Sequence, residues 1–214
     1  MLSDIINPIK VVVLVTLLFA WYYLNKRVKL HLYILLIISL NFLTEFLLSV
    51  CSYLELPIRT PYLISILIHH SLWLLILREN VLNPHKMNYA IVFFWAFAIL
   101  NFVYIEWVDE FNYYSFIVGA SIYLLFFIIE SYKQLNKENV VFFISNNYIL
   151  LFTPLLFFYG LSLMFGFKTS SIRSYIIYSD LSLYGFIINA ACVAYYSLMS
   201  IYIYREKKNK TTNG

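Results

Sequence analysis

Apolar residues fall into seven runs along the chain, each near the roughly twenty residues that a helix needs to cross a bilayer: about 7–24, 30–52, 61–78, 89–107, 113–132, 147–167 and 181–204. Runs this long and continuous do not suit a membrane barrel, whose strands are short and alternate apolar with polar positions. The pattern predicts an all-α fold, an integral membrane bundle of seven transmembrane helices. It forms one domain over residues 1–214 with no soluble unit between spans. Polar punctuation falls where hydropathy makes its cuts. Asn7 precedes Pro8, Thr60 precedes Pro61 and Asp180 precedes Leu181, each offering a cap oxygen or a fixed φ to a first helical turn. The first run ends in Trp21, Tyr22 and Tyr23, then Lys26, without a small-residue cleavage site, and so reads as a retained span rather than a signal peptide.

Composition agrees: 62% of residues are hydrophobic and 12% charged, against about 25% charged in soluble domains. Function is thereby confined to the membrane interior, to thin rims of loop, or to a partner.

The charges set an orientation. Lys26, Arg27 and Lys29, then Arg78 and Lys86, then Lys133 and Lys137, and finally Arg205, Lys207, Lys208 and Lys210 share one rim, whereas the other holds Lys10, Arg59, Lys168 and Arg173. The positive-inside bias puts the N-terminus outside and the C-terminus in the cytoplasm. Glu106, Asp109 and Glu110 make the outer rim partly acidic, and Trp107, Tyr113, Tyr175 and Tyr202 read as interfacial anchors. The basic rim is explained by topology, with contact to anionic lipid or a cytoplasmic partner as the other use. The net charge of +4 therefore points to no nucleic acid.

Chemistry, if present, lies in the few polar groups inside spans. Glu45 reads as the one carboxylate well inside a span, with Asn41 and Ser49 one turn to either side on the same face. An ionisable residue at that depth is a functional-site candidate. His69 and His70 lie near the middle of the third span, with Ser65 one turn before His69. If the second and third spans form an antiparallel hairpin, Asn41 matches the histidines in depth and Glu45 lies one turn further out, so a Glu45 contact with His69 or His70 is geometrically reasonable. Such a group serves as a proton relay, a polar ligand contact, or a hydrogen bond that fixes helix register. Asn101, Ser121 and Asn189 are expected to hydrogen-bond neighbouring helices. Pro154, within the sixth span, removes the donor for the Leu150 carbonyl and is a candidate hinge, with Gly160 and Gly166 beyond it. Cys51 and Cys192 differ in depth by about 16 Å, which disfavours a disulfide and leaves both as small packing residues.

Enzyme patterns are missing. Adjacent histidines point about 100° apart on a helix, so His69 and His70 do not jointly hold an ion as an i, i+4 pair does. No mid-span Asp joins them for an intramembrane zinc hydrolase, and His31 lies too far from His69 for a bis-histidine haem. The last span lacks the Lys of a retinal pigment, and no phosphate loop or nucleophile elbow occurs. No catalytic residue, metal ligand or cofactor is called for.

The pieces "NFLTEFLLSVCSYLELP", "LWLLILREN", "DEFNYYSFIVGASIYLLFFIIESYKQL", "PLLFFYGLSLMFGF" and "IIYSDLSLYGFIINAACVAYYSLMSIYIYREKK" together resemble a family of small seven-span membrane proteins of unknown function from Bacteroidetes bacteria. Glu45 after Leu43 and Thr44, the Arg78–Glu79 pair, the Glu110, Phe111, Asn112 turn, and Glu130 carry the resemblance over roughly residues 40–210. The chain departs from that pattern where His69 and His70 replace an acidic residue of the third span. Family members resemble one another in being encoded near two-component signalling genes, which implies a membrane partner of a sensor kinase. The resulting expectation is a non-enzymatic sensory or accessory component acting through a signalling partner, with a proton-coupled small-solute transporter and an intramembrane lipid-modifying enzyme as the alternatives. Gly119, Ala120 and Ser121 would let helices approach closely, which leaves homo-oligomerisation open.

Overall fold

A computed structural model describes residues 8–56, 59–81, 84–106, 112–167, 175–178 and 181–212. Helices dominate because a backbone in lipid must satisfy its hydrogen bonds within its own segment. They are α1 (Pro8–Tyr23), α2 (Lys29–Tyr53), α3 (Arg59–Asn80), α4 (Pro84–Leu100), α5 (Tyr113–Asn136), the short α6 (Val140–Ile144), α7 (Asn146–Gly166) and α8 (Leu183–Thr212). Six of them, α2, α3, α4 with its extension, α5, α7 and α8, are long and apolar enough to cross a membrane. The first predicted span is shorter among the described residues. The 16 residues of α1 rise about 24 Å at 1.5 Å each, less than a hydrocarbon core of about 30 Å. Asn7, Trp107, Asp109, Glu110, Lys168, Arg173 and Asp180 lie outside the described residues, as do the side chains of Arg59, Thr60 and Lys210.

Packing makes α3 the hub. It touches α2, α4, α5 and α7, while α1 lies between α2 and α8, and α7 packs along α8. Trp73, Leu74, Ile76 and Leu77 of α3 are fully enclosed. The fourth span lies at the edge, with 17% of its apolar window buried against 44% for α3. Apolar side chains such as Val15, Leu18, Val92, Leu125, Ile128 and Val193 remain exposed around the bundle. Exposure on this scale on a water-facing surface would drive aggregation. Around membrane-length helices it is the lipid-facing surface.

Three local features depart from a simple series of spans. The last turn of the fourth span widens into a π-helix, Asn101–Ile105, whose register is visible in the bond from Glu106 N–H to the Asn101 carbonyl, 2.9 Å. Before α8, strands β1 (Ile176–Tyr178) and β2 (Leu181–Ser182) pair antiparallel, so the expectation of no strands fails for this short rim segment. Ser182 Oγ then accepts the Gly185 N–H at 3.1 Å and caps α8. Finally, α6 and α7 start on side-chain caps, Asn139 accepting from Phe142 N and Ser145 from Tyr148 N.

Several expected roles change. Tyr202 is buried and Tyr113 half-buried, so neither is an outward anchor. Ser121 and Asn189 face outward rather than bonding a neighbouring helix, because their positions fall on the lipid-facing sides of α5 and α8. Glu106 is enclosed rather than displayed on the acidic rim, drawn in by Asn101. Glu45 is therefore not the most buried carboxylate. Glu106 and Glu130 are 2% exposed, whereas Glu45 is only half-buried.

Candidate functional site

The hairpin of α2 and α3 sets the depth of the polar groups. Thr44 Oγ1 lies 2.9 Å from Ser65 Oγ and 2.8 Å from the carbonyl of Leu40. This pins the two helices in register. Because successive helical residues point about 100° apart, Glu45 takes a different direction from Thr44. No hydrogen bond joins Glu45 to His69 or His70. Glu45 and both histidines instead line one cavity of about 310 Å³, together with Asn41. Its wall is drawn from α1, α2, α3, α5, α7 and α8. Along α3 it runs from Tyr62 to His70, about 12 Å of helix.

Each histidine is held by its own helix. Trp73 Nε1, which only donates, lies 3.3 Å from His69 Nε2 and 3.2 Å from Tyr195 Oη. His69 Nε2 must accept, so the proton of this ring is on Nδ1. Tyr195 Oη completes the triangle at 3.4 Å from His69 Nε2. On His70, Nδ1 lies 2.9 Å from the Ile66 carbonyl, an acceptor, and so carries the hydrogen. Nε2 is enclosed with no hydrogen-bond partner. The His70 ring stacks on Phe158 with centroids 4.7 Å apart and meets Phe116 edge-on at 4.8 Å. It fits because residue 119 is glycine: a Cβ there would stand 2.6 Å from His70 Cδ2 and 2.8 Å from Phe94 Cε2.

Glu45 is the exception among these groups. Among the described residues, no group donates a hydrogen bond to its carboxylate and no ion pair reaches it. Lys10 acts on it electrostatically at longer range while its Nζ bonds Ser49 Oγ at 2.8 Å. Asn41 is tied to the wall through Nδ2, which donates to Tyr196 Oη at 3.2 Å. Pro154 lies buried within α7 away from the cavity wall. Tyr123 Oη, from α5, donates to the Leu151 carbonyl at 2.8 Å, and so supplies a bond beside the interruption, as neighbouring helices do for intramembrane prolines.

Two more polar clusters stand apart. Asn101 Nδ2 faces Glu106 Oε2 at 2.7 Å, Ser115 Oγ at 2.8 Å and Asn112 Oδ1 at 2.9 Å, all four residues being buried. This joins the end of the fourth span to the start of α5. At the basic rim, the Asn25 N–H donates to His31 Nδ1 at 3.1 Å, which leaves Nε2 to meet Glu206 Oε2 at 3.3 Å. Asn146 Nδ2 holds the other Glu206 oxygen at 2.6 Å. The rim is thus partly neutralised from within, with Lys29 on Glu79 at 2.7 Å and Lys133 on Glu130 at 3.6 Å.

Sequence reasoning missed Trp73, Tyr195, Tyr62, Tyr184 and the Thr44–Ser65 bond. Trp73 was detectable as the i+4 neighbour of His69. The others depend on long-range packing. Cys51 and Cys192 are both free, and Cys192 lies in the cavity wall. Among the described residues, no three His, Cys, Asp or Glu side chains gather as metal ligands.

Six apolar helices of membrane length, five of which wall the cavity, make this a multi-pass membrane protein. No protein-family model matches the chain, and neither a curated protein nor a solved structure does.

Proposed function

We propose that the chain is a seven-span protein of a bacterial inner membrane that holds a small molecule in the Glu45 cavity and acts as a non-enzymatic sensory or accessory component. In this reading α1 is the first of seven spans, the N-terminus is outside and the basic rim is cytoplasmic, as the charge distribution favours. The observation that carries the reading is Glu45. A carboxylate among apolar helices is costly unless something pairs with it, and here it borders open volume without a hydrogen bond from any described group. Ligand binding would favour one packing of the helices around the cavity, and the change would reach the rim through α8. That helix contributes Tyr184 and Tyr196 to the cavity and Glu206 to the rim cluster. A sensor kinase is the partner that the family resemblance implies.

Cys192→Phe, which fills part of the cavity, tests this. Purified in native lipid, the unaltered protein should carry a small molecule, detectable by mass spectrometry, that the variant lacks. The same content in both would defeat the proposal.

A further inference from the structure

The wall of the cavity selects among ligand chemistries. Among its described residues there is no Lys or Arg, and Lys10, which acts on Glu45 electrostatically, is bonded to Ser49 rather than placed in the wall. His69 contributes no charge, because its Nε2 accepts a hydrogen bond from Trp73 and only Nδ1 bears hydrogen, and His70 likewise gives its Nδ1 hydrogen to the Ile66 carbonyl and leaves Nε2 as an enclosed acceptor. Glu45 is the sole carboxylate among the described residues of the wall. An anionic ligand would meet repulsion and no cation of its own there. A neutral ligand could donate a hydrogen bond to the carboxylate but would bring no counter-charge, and the bond would be weaker than one from a cation.

Apart from Asn41, Thr44, Ser65, Cys192 and four aliphatic side chains, the rest of the described lining is aromatic. Tyr62 and Tyr196 lie within electrostatic reach of Glu45, and Tyr184, Phe116, Phe157 and Phe165 add further ring surface. Aromatic faces attract cations, most strongly where water is displaced, and a carboxylate beside them supplies the counter-charge. Rings and aliphatic side chains without free donors suit an apolar body. The volume of about 310 Å³ corresponds to about ten waters at 30 Å³ each and is at the small end of ligand pockets, which excludes an entire phospholipid.

We propose that the cavity takes a compact organic ammonium ion, its charged nitrogen on Glu45 and among the tyrosine rings, and its apolar body against the phenylalanines beneath. This rests on the reading that the cavity holds a ligand. It adds the class of that ligand. No bond is made or broken, and no metal or cofactor takes part.

Three probes of one shape and different charge provide the test: phenethylammonium, phenethyl alcohol and hydrocinnamate. Binding is measured by calorimetry on the protein in nanodiscs of zwitterionic lipid, with empty nanodiscs subtracted. The ammonium should bind at least about tenfold more tightly than the alcohol, a difference of about 1.4 kcal/mol, and the carboxylate should bind most weakly. Glu45→Gln should bring the ammonium down to the affinity of the alcohol. Equal binding of ammonium and alcohol, or preference for the carboxylate, would overturn the class of ligand while leaving a ligand-holding cavity. Binding of none of the three overturns the class as well. If, in addition, Cys192→Phe carries the same native molecules as the unaltered protein, the underlying reading fails too. The comparison of probes on the unaltered protein decides the matter even if Glu45→Gln does not fold.

Discussion

Gly119→Ala adds one methyl group where α3, α4 and α5 meet. The new Cβ would lie 2.6 Å and 2.9 Å from two atoms of the His70 ring and 2.8 Å from Phe94. Neither obstacle is the loose end of a flexible side chain. His70 is stacked on Phe158, abuts Phe116 and bonds the Ile66 carbonyl, and Phe94 is fully buried. Overpacking a filled core costs about 1–3 kcal/mol, and three contacts this short place the cost near the upper end. Alanine recovers about 1 kcal/mol over glycine in a helix, so the net loss is about 2 kcal/mol. For a chain of 214 residues this lowers an unfolding midpoint by about 4–8 °C. The assay is thermal unfolding in one detergent of Gly119→Ala beside Gly166→Ala, whose added methyl meets nothing within 4 Å. Gly166→Ala should match or exceed the unaltered protein. Adding His70→Ala to Gly119→Ala should show coupling, since the clash is with that ring. A Gly119→Ala midpoint equal to that of Gly166→Ala would refute the close approach of α3 and α5.

Three other perturbations bear on the same structure. Asn101→Ala removes the donor shared by Glu106, Asn112 and Ser115 and should cost about 1–2 kcal/mol, since Glu106 Oε2 keeps the Tyr114 N–H at 3.0 Å and Asn112 Oδ1 the Ser115 hydroxyl at 3.4 Å, read as a lower unfolding midpoint; an unchanged midpoint would mean the cluster is not closed in solution. Tyr123→Phe removes the bond to the Leu151 carbonyl beside Pro154 and should cost about 1 kcal/mol. Glu138 follows α5 with φ of 52°, so Glu138→Gly should stabilise by about 1 kcal/mol, the usual cost of the left-handed conformation for a residue with a side chain. A drop in midpoint on that substitution would contradict the assigned backbone.

Membrane character was legible because lipid permits few backbone solutions, and long apolar runs leave their mark on the chain whatever packs against them. The π-helix at Asn101–Ile105 and the hairpin before α8 were not, since each depends on bonds to residues of another turn or strand. Asn41, Glu45, His69 and His70 stand out in sequence as polar residues at intramembrane positions, and all four border one cavity. Their pairings were not legible. Thr44, one residue from Glu45 and ordinary in appearance, decides which way Glu45 points by bonding Ser65. Tyr195, from the last helix, decides with Trp73 how His69 is held. Helical spacing identifies which residues share a face, but the rotation of that face relative to a neighbouring helix comes from tertiary contacts.

The most direct test of a ligand-holding cavity is an experimental structure of the protein kept in native lipid from extraction onward. Compact non-protein density is expected between α2, α3 and α8, with one atom within hydrogen-bond distance of the Glu45 carboxylate. A cavity filled by its own side chains, with Glu45 bonded to a protein group, would contradict it.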